Sequence, residues 1–146
     1  MKEYMLLALK EAKKSYKIGD VPVGAVIVCN NKVISLGHNL KEKKNNAVMH
    51  AEIVAINKAC KKLKRWRLED CELYVTMEPC LMCCGAILQS RIKRIYYSID
   101  NTAFGEMKNI SREIKSLGNN IEVNVGLCAE EALELIKSFF AERRKK

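Results

Sequence analysis

Residues 71–85 read CELYVTMEPCLMCCG, an apolar and β-branched run followed by Glu78-Pro79 and then three cysteines within five positions. Cys71 to Thr76 has the composition of a short strand, and Pro79 is suited to open a helix, where its missing N–H would have had no partner anyway. A strand that runs straight into a helix is the building unit of an α/β fold. In a helix starting at Pro79, Cys80 and Cys83 share a face, about 60° apart around the axis, while Cys84 points elsewhere. Free first-turn N–H groups and the positive end of the helix dipole favour thiolate over thiol there, as metal binding requires.

Outward from this segment, Met5, Leu9, Ala12 and Tyr16 form one apolar stripe on a basic helix that stops near Gly19. VGAVIV (Val23 to Val28), the pair Asn30-Asn31 and KVISLG (Lys32 to Gly37) predict two strands joined by a tight hairpin. A polar loop from His38 to Asn46 precedes a helix from His50 to about Leu63, whose apolar positions are Ile53, Ile56, Ala59, Cys60 and Leu63. RIYYSI (Arg94 to Ile99) and IEVNV (Ile121 to Val125) add strands, and a last helix runs from about Ala129 to Arg143. The order α-β-β-α-β-α-β-α-β-α predicts an α/β fold with a five-stranded mixed sheet covered by helices on both faces, in a single domain over residues 1–146.

Composition narrows the function. Seven cysteines form an odd set without framework spacing, which fits a reducing, cytoplasmic setting and metal binding better than disulfides. No run approaches the roughly 18 apolar residues of a membrane span, and the N-terminus lacks a secretory pattern, so no membrane partner is expected. A net charge of +9 suits a polyanionic partner, with basic clusters at Lys41–Lys44, Lys61–Arg67 and Arg143–Lys146. Solvated surface charge would produce the same clusters. Trp66, inside the second, reads as a packing residue rather than a base-stacking one.

Two thiolates do not complete a tetrahedral zinc site, and the chain has two histidines. His50, opening the helix before the cysteine segment, is the candidate third ligand; His38 is the spare. With no second CxxC pair, three protein ligands and an open position match a catalytic site, in which bound Zn²⁺ lowers the pKa of water from about 15.7 towards about 7. Glu52, two residues after His50, is the candidate proton acceptor. Residues i and i+2 lie about 200° apart on a regular helix, so the two converge only if His50 sits at an irregular first turn. A CxxC alone also fits redox chemistry, but that explains neither His50 nor Glu52. Cys29, Cys60, Cys71, Cys84 and Cys128 read as small buried hydrophobes.

His50-Ala51-Glu52 followed by Pro79-Cys80-x-x-Cys83 is the H-x-E…P-C-x-x-C signature of the zinc deaminases. The chain resembles that superfamily over nearly its whole length. VPVGAVIV, the GHN ending at Asn39, MHAEI, LYVTMEPCLMCCGAI, QSRIKRIYY and LIKSFFAERRKK resemble the branch of tRNA-specific adenosine deaminases that makes inosine at the anticodon wobble position. The resemblance implies a cytidine-deaminase-like three-layer α/β/α fold, one Zn²⁺ per subunit on His50, Cys80 and Cys83, and Glu52 as the proton shuttle for hydroxide attack on C6 of adenine. It also implies a homodimer whose partner is a tRNA anticodon stem-loop. Substrate contacts would fall on Asn39, Ala51 and Asn101 near the base and ribose, and on Phe139, Arg143 and Arg144 along the RNA.

Several of these contacts have second readings. Asn39 could merely form a turn, and Phe139 and Phe140, about 100° apart on a helix, could serve core packing as well as stacking. DNTAFGEM (Asp100 to Met107) departs from the family pattern, with Phe104 intruding and Asn101 where the family usually has Asp. Two other functions compete: a free nucleobase or nucleotide deaminase acting on guanine or cytosine, and a non-catalytic zinc-containing RNA-binding subunit. Net charge and the FF…RR terminus favour the tRNA, and Glu52 argues against a purely structural zinc site.

Overall fold

A computed structural model describes residues 1–101 and 121–144, without the side chain of Arg144. The described elements are α1 (Lys2–Lys17), β1 (Gly24–Cys29), β2 (Lys32–His38), α2 (Ala51–Leu63), β3 (Cys71–Met77), α3 (Leu81–Gln89), β4 (Arg94–Ile99), β5 (Glu122–Val125) and α4 (Ala129–Arg144). The helix expected between the last two strands, and most of the atypical segment after Asp100, lie outside the described residues.

The strands form one five-stranded sheet in the order β2-β1-β3-β4-β5. β1 pairs antiparallel with both β2 and β3, whereas β3–β4 and β4–β5 are parallel, so the sheet is mixed as expected. Asn30 and Asn31 both have positive φ (51° and 63°), the conformation of a two-residue type I′ turn, which Asn tolerates and which matches strand twist. A bulge after Ile27 lets Ser35 and Val33 flank one unpaired β2 residue, Ile34.

Every residue of β1 is buried because both faces of the sheet are covered. Ala25, Ile27 and Cys29 join Leu73, Val75, Ile95 and Tyr97 beneath α2 and α3. Val26, Val28, Tyr74 and Tyr96 meet Met5 and Ala8 of α1 on the other side, where the Tyr74 and Tyr96 rings stack 4.4 Å apart. α4 lies on this second side, its Phe139 edge-on to Tyr16 of α1.

Each face has one position where helix and strand backbones nearly touch. A Cβ on Gly24 would sit 1.8 Å from the Ala8 carbonyl oxygen and 2.6 Å from the Ala12 nitrogen. One on Gly37 would sit 2.5 Å from the Ala51 carbonyl oxygen and 2.7 Å from the Ala55 nitrogen. Because backbone cannot yield as a side-chain tip can, Gly24→Ala is expected to lower stability by about 3 kcal/mol or more, the upper end for overpacking. Urea denaturation checks this, as a lower midpoint at unchanged slope.

Candidate active site

Parallel strands β3 and β4 end side by side, with Met77 paired to Ile99. The loops beyond such carboxyl ends are where α/β sheets place ligands. Glu78 N–H donates to the Ile99 carbonyl (2.8 Å), and the buried Glu78 carboxylate accepts from the Asn101 N–H (3.0 Å), tying the two loops together. Sequence reasoning gave Glu78 no role; the signal was an acid directly before Pro-Cys that has no reason to be buried unless it is bonded.

α3 begins later than Pro79 suggested. Cys80 is its N-cap, in extended conformation (φ −73°, ψ 173°), with its carbonyl already accepting from Cys84 N–H at 2.9 Å. Cys80 and Cys83 therefore are not two residues on one helical face; the first projects from the entering chain and the second from the first turn. α2 starts in the same way. His50 is its N-cap (φ −73°, ψ 158°), with its carbonyl accepting from Val54 N–H at 3.0 Å, and Glu52 lies in the first turn. This extended residue removes the 200° difficulty between His50 and Glu52.

The two helix starts bring the donors together. Both Cys80 Sγ and Cys83 Sγ are 3.6 Å from His50 Nδ1, and all three atoms lie within 4.8 Å of one another. Bonds of about 2.0–2.3 Å to a tetrahedral Zn²⁺ would space nitrogen and sulfur donors about 3.6 Å apart, so one imidazole and two sulfurs fit that ion in chemistry and spacing. The Cys83 hydrogen bond, with help from His50, holds the Cys80 thiol down to about 4. That same bond and burial push Cys83 well above its ordinary range. Cys80 accordingly raises the His50 ring. Glu52 is 4% exposed, and burial pushes its carboxyl up to about 7, although a bond to its own backbone, the His50 ring and a hydrogen bond with Cys83 all act to lower it.

His38 belongs elsewhere. Its Nδ1 lies 3.2 Å from the buried Glu11 carboxylate, whose other oxygen is 2.6 Å from Lys14 Nζ. Asn39 is buried at a turn: its amide N–H donates to the Val21 carbonyl (3.1 Å), and its side-chain oxygen accepts from Lys41 N–H (3.1 Å). One amide N–H remains for a ligand. Ala51 is buried as the first residue of α2, beside His50, and its N–H is one that a helix start leaves without an intrahelical partner.

The terminal helix divides its residues differently from expectation. Phe139 is 4% exposed and packed on Tyr16, while Phe140 is 44% exposed and is the ring open to solvent. Arg143 places its guanidinium 4.7 Å over the Phe139 ring and donates to the Gly19 carbonyl, so it anchors α4 to the end of α1. The Arg144 side chain, Lys145 and Lys146 lie outside the described residues. Trp66 does not pack inward: it is 55% exposed, with the Arg67 and Arg91 guanidiniums 5.0 and 5.7 Å from its ring centre.

A family model for the cytidine and deoxycytidylate deaminase zinc-binding region matches residues 1–99. The chain belongs to that deaminase family. A tRNA-specific adenosine deaminase of Bacillus subtilis is 41% identical to this deaminase over 98% of the chain and 90% of its own length. A solved structure from work on A-to-I editing by tRNA:A34 deaminases at the wobble position superposes with a TM-score of 0.86 at 36% identity, covering 92% of this chain and 99% of the other. A guanine deaminase of Bacillus subtilis is 40% identical, but covers 68% of this chain and 64% of its own, with a TM-score of 0.66.

Proposed function

We propose that this chain, as one deaminase domain over residues 1–146, hydrolyses adenosine to inosine at the wobble position of a tRNA anticodon, releasing ammonia. The chemistry rests on one observation: a buried carboxylate, Glu52, stands beside the His50, Cys80, Cys83 donor set without being one of its members. His50, Cys80 and Cys83 would hold one Zn²⁺, which when bound supplies Lewis-acid activation of the attacking water. Glu52 takes one proton from that water and delivers it to adenine N1, then takes the second from the hydroxyl added at C6 and delivers it to the departing amine, which leaves as ammonia. Burial excludes competing water around the carboxyl and keeps it close to neutrality in proton affinity.

The substrate class rests on sequence identity held over nearly the full chain, 41% over 98% of it for the Bacillus subtilis tRNA-specific adenosine deaminase; a guanine deaminase of Nitrosomonas europaea shares the fold over 96% of this chain but is only 23% identical. Asn39 would address the base with its remaining amide N–H, Ala51 with its backbone, and Asn101 the ribose. Phe140, the exposed ring, would take the stacking role in place of Phe139, and Arg143 and Arg144 would contact phosphates from the terminal helix. A base leaves its stack more cheaply in an anticodon loop than in a duplex, which favours such a substrate. A cytoplasmic homodimer completes the reading; among the described residues no helix is long and apolar enough to cross a membrane.

The deciding experiment is inosine formation in an anticodon stem-loop, run beside ammonia release from free guanine and free cytosine, with zinc measured on the same sample. Turnover of a free base with none of the stem-loop overturns the tRNA reading. Stem-loop binding is also expected to weaken with salt, log K falling by about 0.7 per log unit of salt for each phosphate contact. An affinity that ignores salt between 50 and 200 mM, the range over which about 6–10 phosphate contacts change binding by orders of magnitude, counts against it.

A further inference from the structure

At the end of the sheet away from His50, antiparallel β1 and β3 set Cys29 directly opposite Cys71. Asp70, the residue before β3, completes a second group: two sulfurs and a carboxylate oxygen within 4.8 Å of one another. We propose that Cys29, Cys71 and Asp70 form a second cation site, for a thiophilic divalent ion of the zinc class, independent of the deaminase centre.

Four observations carry this. Both sulfurs are enclosed, Cys29 at 7% and Cys71 at 2% exposure, whereas the Asp70 side chain is 46% exposed and gives an ion a way in. The Cys71 thiol already points at the carboxylate, 3.7 Å from Asp70 Oδ1, near the spacing of about 3.5 Å that tetrahedral zinc imposes on sulfur and oxygen donors. Asp70 is held in place by a two-pronged bond from Arg65, at 2.9 and 3.0 Å to its two oxygens. Charge also closes: two thiolates and one carboxylate against a dication leave one negative charge, which the Arg65 guanidinium balances. Two sulfurs among three donors select against magnesium or calcium, which require oxygen.

The site lies where α2 is connected back to β3, at Cys71, while the His50 centre follows Met77. Six strand residues separate these points, about 20 Å. Metal loading at one need not disturb the other. Its role would be to clamp the entry of β3 to the exit of β1.

Equilibrium dialysis of the full-length chain against zinc under a phosphine reductant, with elemental analysis, tests the proposal. The expected result is two zinc ions per chain, falling to one in Cys29→Ser/Cys71→Ser with stem-loop deamination within about twofold of the parent. Cys83→Ser should instead keep the second ion and lose the first. Cadmium in place of zinc should add thiolate charge-transfer absorbance that the double variant loses in part. Should the double variant not fold, Asp70→Asn decides, because it alters an exposed side chain and keeps both thiols; at least a tenfold weaker second site is expected. Saturation of the parent at one zinc, an unchanged second affinity in Asp70→Asn, or a Cys29–Cys71 disulfide forming in preference to zinc when both zinc and air are supplied, overturns it.

Discussion

Glu52→Gln should lower stem-loop deamination by roughly 10²–10⁴-fold, the usual contribution of a positioned general acid–base group, while zinc content stays at the parental value. Gln keeps the shape and the hydrogen-bonding capacity of the site but has no proton to take and return. Because Gln matches the length and volume of the buried Glu52 side chain, the substitution opens no cavity and overpacks nothing. The measurement is single-turnover inosine formation on protein whose metal content is known. Substantial turnover with full metal would remove Glu52 from the chemistry; loss of metal would move it into the ligand set.

Cys83→Ser should have the second large effect and by another route. Cys83 is fully buried and 3.6 Å from His50 Nδ1, so its replacement removes a soft donor from the candidate ligand set. Losing only an outer-shell partner of a metal ligand costs about 10–100-fold in affinity, and loss of the ligand itself should exceed that. Activity is therefore expected to fall with metal content and to be partly restored at high zinc, whereas Glu52→Gln should not respond to added zinc. A strong chelator should reproduce the Cys83→Ser phenotype in the parent, reversibly. This contrast between the two variants separates proton transfer from metal retention.

Much of this was legible in the residues. Asn30-Asn31 between apolar runs specified the hairpin because few residues accept two successive positive φ values, and the structure uses both. Strand and helix order followed largely from apolar periodicity, which placed His50 at the start of one helix, while Pro79 marked the start of the next at the Cys80–Cys83 segment. Periodicity is blind to caps, however. Cys80 and His50 each stand one residue outside their helices in extended backbone, and it is this departure that lets their side chains meet.

Contacts between distant segments were beyond reach for a different reason. His38 is committed to Glu11 across 27 positions of sequence, and no local pattern announces such a pair. Cys29 and Cys71 read as isolated apolar residues until strand register set them face to face. Phe139 and Phe140 are equivalent by composition; the position of Tyr16 decided which was enclosed. Glu78 was passed over because its burial depends on the neighbouring loop at Asn101.

The contact at Gly37 bears on any attempt to transplant this chemistry. α2 carries Glu52 and is capped by His50, and its first turns rest on the bare backbone of β2, with Ser35 Oγ also donating to the Ala55 carbonyl at 2.7 Å. A graft limited to the two motif segments would leave that helix at an arbitrary height above its new sheet, since an ordinary side chain beneath it would lift it by more than an ångström. The smallest portable catalytic module is thus the hairpin together with both helices, not the signature residues alone.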